Sequence, residues 1–180
     1  NFGYSYAKRM LDVHSRAIKE QYGLNYICVI PTNIYGPNDN FNLDDSHVVP
    51  ALIHKCYLAK KNKTDLVVWG SGKPIREFIY SEDVGELTQL ILDEYDGPGP
   101  LIISSGEEIS IKDLVDLIVK AMKFKGKIVF DDSKPDGQYR KTTSNLLLKT
   151  IFPKYKFTKL KQGIKKTVDW FVENYESCRK

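Results

Sequence analysis

The chain has 180 residues, of which 42% are hydrophobic and 28% are charged, and its formal net charge at pH 7 is +4. This composition is that of a globular protein with its own core, and it excludes a disordered chain. The small positive charge suits an anionic small ligand but falls short of a nucleic-acid surface, so we expect no nucleic-acid partner. No apolar run has the length of a membrane span, so we expect no membrane association.

The cysteines indicate a reducing compartment. Cys28, Cys56 and Cys178 are odd in number, lie far apart and form no Cys-x-x-Cys motif. This pattern predicts neither a disulfide framework nor a metal site. We therefore expect a cytoplasmic protein without a bound metal.

The first third of the chain alternates between helix and strand signals. Apolar residues recur at three- and four-residue steps over residues 4–21, which predicts an amphipathic helix. The apolar run 25–30 predicts a buried strand, and a loop is expected over residues 31–37. A second helix is predicted over residues 48–60.

Similar elements follow to the end of the chain. Ser81 is predicted to cap a helix over residues 82–95, and Ser110 with Asp113 resembles a capping box that opens another helix. A last amphipathic helix is predicted over residues 160–175. Short strands are predicted at residues 66–69, 101–104 and 127–130. This alternation predicts an α/β fold.

Tyr4 and Lys8 are the first candidates for chemistry. They are four residues apart, so a helix places them on one face about one turn from each other. The lysine charge favours the phenolate and lowers a tyrosine pKa that is ordinarily near ~10, and the pair can then exchange a proton with a carbonyl. Taken alone, the spacing is weak evidence, and it fits better a surface lysine that lies along a half-buried tyrosine.

The order of three motifs gives the pair more weight. The Tyr4 and Lys8 helix is followed by Pro-Thr-Asn-Ile-Tyr-Gly-Pro at residues 31–37 and by Gly-Ser-Gly-Lys-Pro-Ile-Arg-Glu-Phe-Ile at residues 70–79. In this order and spacing the chain resembles the extended short-chain dehydrogenase/reductase family. The segments Ser-His-Val-Val-Pro at residues 46–50 and Lys-Pro-Asp-Gly at residues 134–137 bring the resemblance closest to the branch that makes GDP-L-fucose.

The resemblance implies a reaction and three catalytic residues. It implies conversion of GDP-4-keto-6-deoxy-D-mannose to GDP-L-fucose, by epimerisation at C3 and C5 and NADPH-dependent reduction of the C4 ketone. Tyr4 would give a proton to the C4 oxygen, and Lys8 would lower the tyrosine pKa and hold the nicotinamide ribose. His47 would be the acid of the epimerisation. The alternative for His47 is a helix-start histidine bonded to the backbone.

The resemblance also implies contacts to two ligands. The residues expected to contact NADP(H) are Lys8, Pro31, Thr32, Asn33, Ile34 and His47. The residues expected to bind the GDP-sugar are Lys55, Trp69, Arg76, Asp136 and Lys141. For residues 31–34 the alternative is a plain strand-to-helix loop. For Trp69 it is a buried tryptophan at a strand end, and for the charged residues it is solvated surface charges.

Two features of the family's pattern are missing from these residues. No glycine-rich dinucleotide turn follows a strand, and the Ser and Cys that the family places before the Tyr-Lys helix are absent. We therefore expect the C-terminal part of a Rossmann-type sheet plus a small α/β substrate-binding region. Residues 1–45 would be the remnant of the dinucleotide-binding domain, and residues 46–180 would mainly bind the sugar nucleotide, with some segments returning to the sheet.

The missing segments and the family resemblance lead to expectations about activity and oligomeric state. We expect the isolated 180 residues to be inactive. We expect a homodimer through the helix of Tyr4 and Lys8, although its apolar stripe is equally compatible with a face buried within the chain. Two functional alternatives stay open: another sugar-nucleotide epimerase or dehydratase of the same superfamily, and a catalytically silent domain that binds GDP-sugars.

Overall fold

The structure is a computed structural model, and it describes residues 2–97 and 99–180. The helices in these ranges are α1 (Phe2–Tyr22), α2 (Val48–Asn62), α3 (Ser81–Glu94), α4 (Ile111–Met122), α5 (Leu146–Ile151) and α6 (Leu160–Glu173). The strands are β1 (Val29–Pro31), β2 (Asn33–Tyr35), β3 (Leu66–Trp69), β4 (Ile75–Tyr80), β5 (Leu101–Ile103), β6 (Glu108–Ser110), β7 (Ile128–Asp131) and β8 (Arg140–Lys141). The predicted α/β class is confirmed.

The strands pair in three groups. β1 pairs with β5, and β3 pairs with β7, both in parallel. β4 is the centre of the third group. Its second half pairs in parallel with β2, while its first half lies between antiparallel β6 and parallel β8. Four of these five pairings are parallel, which is typical of α/β proteins with helical crossovers.

The main core lies where α2, α4 and α6 pack together and against the strands. α4 shows why these residues form this element: its apolar residues Leu114, Val115, Ile118 and Met122 follow helical spacing and are all buried. Its start is fixed by the predicted cap, since the Ser110 hydroxyl accepts a hydrogen bond from the backbone N–H of Asp113. A second buried cluster is made by Ile79, Leu87, Ile91, Leu101, Ile103 and Leu148.

α1 is placed differently from the other long helices. It contains no buried residue, and Met10 and Leu11 of its predicted stripe are 57% and 55% exposed. Its Lys19 ammonium donates to the backbone carbonyl of Gly97 at 3.1 Å and also to that of Asp96. The alternative in which the stripe is buried within the chain is therefore wrong for the described residues.

Several boundaries differ from the sequence expectations. The strand expected at residues 25–30 is limited to β1, and the expected loop 31–37 contains β2, because Tyr35 is buried and pairs with Tyr80 of β4. The elements β4, β6, β8 and α5 were not predicted from the sequence. Ser81 does not cap α3, which begins after Tyr80 without a side-chain cap. None of the helices in the described ranges combines the length and hydropathy that crossing a membrane requires.

Candidate active site

A cleft of about 300 Å³ lies between the third strand group and the start of α2. Its walls come from the start of β2, the N-termini of α2 and α4, the end of β3, the strand β4 and the loop after β7. It brings together six residues that the sequence predicted as ligand contacts: Asn33, Ile34, His47, Trp69, Arg76 and Asp136. Residues separated by more than 100 positions therefore share one site.

His47 stands at the entrance of α2 with a side chain that the helix does not use. It is the N-cap residue in an extended conformation, with φ −74° and ψ 169°, and its imidazole makes no capping hydrogen bond. Its carbonyl oxygen accepts from the N–H of Ala51 at 3.0 Å. The alternative of an imidazole bonded to the helix backbone is thus not what the structure has. Burial raises the pKa of the neighbouring Asp39 carboxyl, and interaction with His47 acts in the opposite direction.

Trp69 offers a flat aromatic surface at one end of the cleft. Its side chain is 62% exposed, so the alternative of a buried tryptophan at a strand end is wrong. The Lys55 Nζ lies 4.0 Å from the centroid of its ring, and the Lys134 Nζ lies 5.9 Å from it. Lys55 is outside the residues that line the cleft, and burial lowers the pKa of its ammonium. An exposed ring with cations beside it suits a base that carries phosphates.

Arg76 is a cation without a carboxylate partner. Among residues 2–97 and 99–180 no carboxylate oxygen lies within 4.0 Å of its guanidinium, and its Nη1 donates to the carbonyl of Ile75 at 2.7 Å. Arg140 on the adjacent strand contrasts with it, since its Nη2 lies 2.6 Å and 2.7 Å from the two carboxylate oxygens of Glu108. Arg76 therefore keeps donors for an anion in the cleft.

Asp136 is fixed by a residue that the sequence analysis did not single out. The backbone N–H and the hydroxyl of Ser71 donate to its two carboxylate oxygens at 2.7 Å and 2.6 Å, and these bonds lower the pKa of Asp136. Gly70 permits this approach: its φ is +84°, and a Cβ there would lie 2.4 Å from the Asp136 Oδ1. The Gly-Ser-Gly sequence was the available signal, because turns with positive φ bring backbone N–H groups close to partners.

The cleft does not contain all the predicted residues. Tyr4 is 65% exposed on α1, and the Lys8 Nζ lies 5.6 Å from the centroid of the Tyr4 ring. Neither of them lines the cleft, and the same holds for Pro31, Thr32, Lys55 and Lys141. The Thr32 Oγ1 is buried and has no hydrogen-bond partner among the described residues. The structure thus keeps the tyrosine and lysine together on their helix but outside the cleft lining.

Further residues line the cleft that sequence reasoning did not find. They are Val48, Val49, Gly72, Pro74, Phe78, Ile111 and Pro135. Strand alternation was the missing signal for Phe78, since it lies two residues after Arg76 on β4 and therefore on the same face. No group of three or more His, Cys, Asp or Glu side chains within the described ranges is arranged to hold a metal ion.

An α/β fold with mainly parallel strand pairs and helical crossovers is typical of the nucleotide-dependent enzymes of the Rossmann class. Comparison of the chain with known protein families identifies its family. The sequence pattern of the NAD dependent epimerase/dehydratase family matches residues 1–106, which is more than half of the chain. The chain therefore belongs to the NAD dependent epimerase/dehydratase family.

Relatives from other organisms are similar to this chain over its whole length. A GDP-L-fucose synthase of Dictyostelium discoideum is 56% identical over 182 residues, which cover 100% of this chain and 57% of that protein. A probable GDP-L-fucose synthase of Drosophila melanogaster is 43% identical over 189 residues, covering 100% and 59%. A crystal structure of a GDP-L-fucose synthetase from Naegleria fowleri bound to NADP superposes with a TM-score of 0.93 at 46% identity, covering 98% of this chain and 57% of that one. The chain thus spans somewhat over half the length of these relatives.

Proposed function

We propose that the complete protein is a GDP-L-fucose synthase, which epimerises GDP-4-keto-6-deoxy-D-mannose at C3 and C5 and reduces its C4 ketone with NADPH. The observation that carries the proposal is the cleft, in which the exposed Trp69 ring lies with His47 and with the Arg76 guanidinium, which has no carboxylate partner among the described residues. The similarity to the GDP-L-fucose synthase of Dictyostelium discoideum supports the choice of substrate.

The GDP end of the substrate is assigned to the cations and the tryptophan. Trp69 offers its ring to the base, and Lys55 beside the ring adds a positive charge near the phosphates. Arg76 is suited to the diphosphate, because a guanidinium presents two parallel donors to phosphate oxygens. Asp136 and Lys141 complete the proposed contacts. Asp136 is held ionised by Ser71, and Lys141 lies opposite Arg76 in the register of β8 and β4.

The nicotinamide end of NADP(H) fits residues near β1 and β2. The buried Thr32 hydroxyl lacks a partner in the described structure, so a polar group of a cofactor would satisfy it. Lys8, Pro31, Asn33, Ile34 and His47 are the other proposed contacts, and the NADP-bound structure from Naegleria fowleri supports this cofactor. The glycine-rich turn that cradles a dinucleotide pyrophosphate does not occur in residues 1–180.

The proposed chemistry assigns one proton donor to each kind of step. When bound, NADPH supplies the hydride that reduces C4. Tyr4 gives its phenolic proton to the C4 oxygen, and the Lys8 charge favours the phenolate that is left. In each epimerisation a base would first remove the proton from the ring carbon to give an enolate with the C4 oxygen, and His47 would then donate a proton to the opposite face of that carbon. Its imidazole is free for this role because α2 does not use it as a cap.

The proposal includes a division of the chain into two regions and a homodimer. Residues 1–45 would belong to the dinucleotide-binding domain, and residues 46–180 would mainly bind the sugar nucleotide. The exposed apolar residues of α1 support a homodimer through this helix, with Met10 and Leu11 in the contact. Residues 1–180 by themselves would bind GDP or GDP-sugar weakly and would not oxidise NADPH, since they hold no pyrophosphate cradle.

Calorimetry on the 180-residue chain with GDP and NADPH in separate titrations tests the proposal. We expect GDP to bind and NADPH to bind more weakly or not at all. Tighter binding of NADPH than of GDP would show that the cleft has been assigned to the wrong ligand. A product assay on the complete protein with GDP-4-keto-6-deoxy-D-mannose separates the proposed reaction from a 4-epimerase or dehydratase activity.

A further inference from the structure

Glu77 is a buried carboxylate at the centre of the strand that carries Arg76. It lies on β4 between Arg76 and Phe78, which both line the cleft. Side chains alternate along a strand, so the Glu77 carboxylate points to the opposite face from its two neighbours. Its side chain is only 2% exposed. The roles proposed above do not use it.

Two segments from distant parts of the chain donate hydrogen bonds to this carboxylate. The Ser104 hydroxyl, just after β5, donates to the Glu77 Oε2 at 3.0 Å. The Thr143 hydroxyl donates to the same oxygen at 2.7 Å, and the Thr143 backbone N–H donates to Oε1 at 3.2 Å. No cation lies within 4.0 Å of the Glu77 carboxylate in the described ranges. Its interactions there are thus hydrogen bonds to loops rather than an ion pair.

These bonds fasten the short strand that carries Lys141. β8 has two residues, both exposed, and its register sets Lys141 opposite Arg76. Thr143 follows Lys141 by two positions, so its two bonds to Glu77 anchor this strand beside β4. The backbone carbonyl of Glu77 also accepts from the Asn33 Nδ2 at 2.7 Å. Glu77 is therefore linked to three of the proposed ligand contacts: it follows Arg76 on β4, it binds Thr143 two positions after Lys141, and its carbonyl accepts from Asn33.

We propose that Glu77 is a positioning residue for diphosphate recognition. It holds the Lys141 strand against β4, so that the Lys141 ammonium and the Arg76 guanidinium are spaced to bind the same diphosphate. This inference rests on the proposed binding of GDP-sugars in the cleft. The Glu77 carboxylate acts through Thr143 and does not touch the ligand.

The test compares GDP with GMP in the complete protein, by calorimetry, for the wild type and for Glu77→Gln. The glutamine keeps the shape of the side chain but replaces one acceptor oxygen by a donor, so the bonds from Thr143 or Ser104 are lost. We expect GDP affinity to fall by about three- to tenfold. GMP affinity should fall less, so that the preference for the diphosphate decreases. Lys141→Ala should also weaken GDP binding in the wild type, and its effect should be smaller in the Glu77→Gln background.

Asp83 provides the matched control. It is also a buried carboxylate, 4% exposed, and it accepts from the N–H and the hydroxyl of Thr158 at 2.9 Å and 2.8 Å. It does not line the cleft. Asp83→Asn should lower the melting temperature comparably and leave the preference for GDP over GMP unchanged. An equal loss of that preference in Asp83→Asn would mean that general destabilisation is the cause and would overturn the inference.

Other outcomes are separable as well. A folded Glu77→Gln protein with the wild-type preference for GDP over GMP would overturn the positioning role while leaving the proposed function intact. If Glu77→Gln does not fold, Thr143→Val removes one of the bonds with little change in shape, and the same loss of preference is expected from it. A wild-type protein that does not bind GDP would overturn the proposed function itself, together with this inference.

Discussion

The Lys55 Nζ lies 4.0 Å from the centroid of the Trp69 ring, so the aromatic surface of the cleft carries a cation on one side. The two residues come from different elements, α2 and β3, which pack on each other in the main core. Burial lowers the pKa of Lys55 below its ordinary value of 10.5, because the charged ammonium is partly removed from water. The pair thus places an aromatic surface on which a base can stack next to an ammonium group with a lowered pKa.

Trp69→Leu should weaken GDP binding by the complete protein. Stacking of a base on an aromatic side chain contributes about 1–3 kcal/mol, which corresponds to a loss of roughly five- to 150-fold in affinity. Calorimetry with GDP measures it, and Trp170→Leu, an aromatic change in α6 outside the cleft, is the control. An unchanged dissociation constant in Trp69→Leu would remove the ring from base binding.

The Lys55 charge should give GDP binding a pH dependence. The ammonium attracts the diphosphate below the folded-state pKa, and that attraction is lost as the pH rises through it. Because this pKa is lowered, the loss should begin at a lower pH than for an ordinary lysine. Lys55→Arg stays charged across this range, so its GDP affinity should depend less on pH. Identical pH profiles for the two proteins would argue against a role for the Lys55 charge.

Arg76→Ala should raise the dissociation constant for GDP and the apparent substrate constant in the complete protein. A charge-assisted hydrogen bond contributes about 1.5–3 kcal/mol, or roughly ten- to 150-fold. Arg16→Ala is the control, since it removes a guanidinium that Asp12 already binds at 3.1 Å, away from the cleft. The Arg76 variant should be affected and the Arg16 variant much less. An effect confined to kcat would speak against a diphosphate contact.

Tyr4→Phe should nearly abolish ketone reduction and leave substrate affinity almost unchanged, because the ring remains and only the transferable proton is lost. General acid catalysis contributes typically 10²–10⁴-fold, so kcat for NADPH oxidation should fall by about this factor. Tyr6→Phe removes a phenol from the same exposed helix and should be close to the wild type. Reduction at the wild-type rate in Tyr4→Phe would exclude Tyr4 as the acid.

The sequence predicted the long helices well because their apolar spacing is a local property, although the six-residue α5 was missed. The stripe of α4 and its Ser110 cap are both confirmed. β4 was missed because Arg76 and Glu77 break the apolar pattern of a strand. The presence of these two charged residues in a strand is explained only by their surroundings in the folded protein. Arg76 faces the cleft, while Glu77 is satisfied by Ser104 and by Thr143, which lies 66 positions away. Such non-local hydrogen bonds have no signature within a short window of sequence.

The site was predicted in part for the same reason. Six of the proposed ligand contacts line one cleft, and those came from a family resemblance rather than from spacing. Ser71 was not found, because its role depends on Asp136 in a loop 65 positions further on. The availability of the Trp69 ring was expected only from the family resemblance, since a tryptophan at a strand end gives no sign of whether a neighbouring element covers it.

His47→Gln separates the two kinds of chemistry proposed for the complete protein. Glutamine keeps the size and hydrogen bonding of the side chain but has no titratable proton. Incorporation of solvent deuterium at C3 and C5 of the keto-sugar should therefore fall by roughly 10²–10⁴-fold. Direct reduction of the ketone should be less affected, because Tyr4 and Lys8 are intact. His14→Gln, on the exposed face of α1, should exchange deuterium at the wild-type rate. Exchange at the wild-type rate in His47→Gln as well would show that the acid is another residue and that the imidazole at the start of α2 serves only to line the cleft.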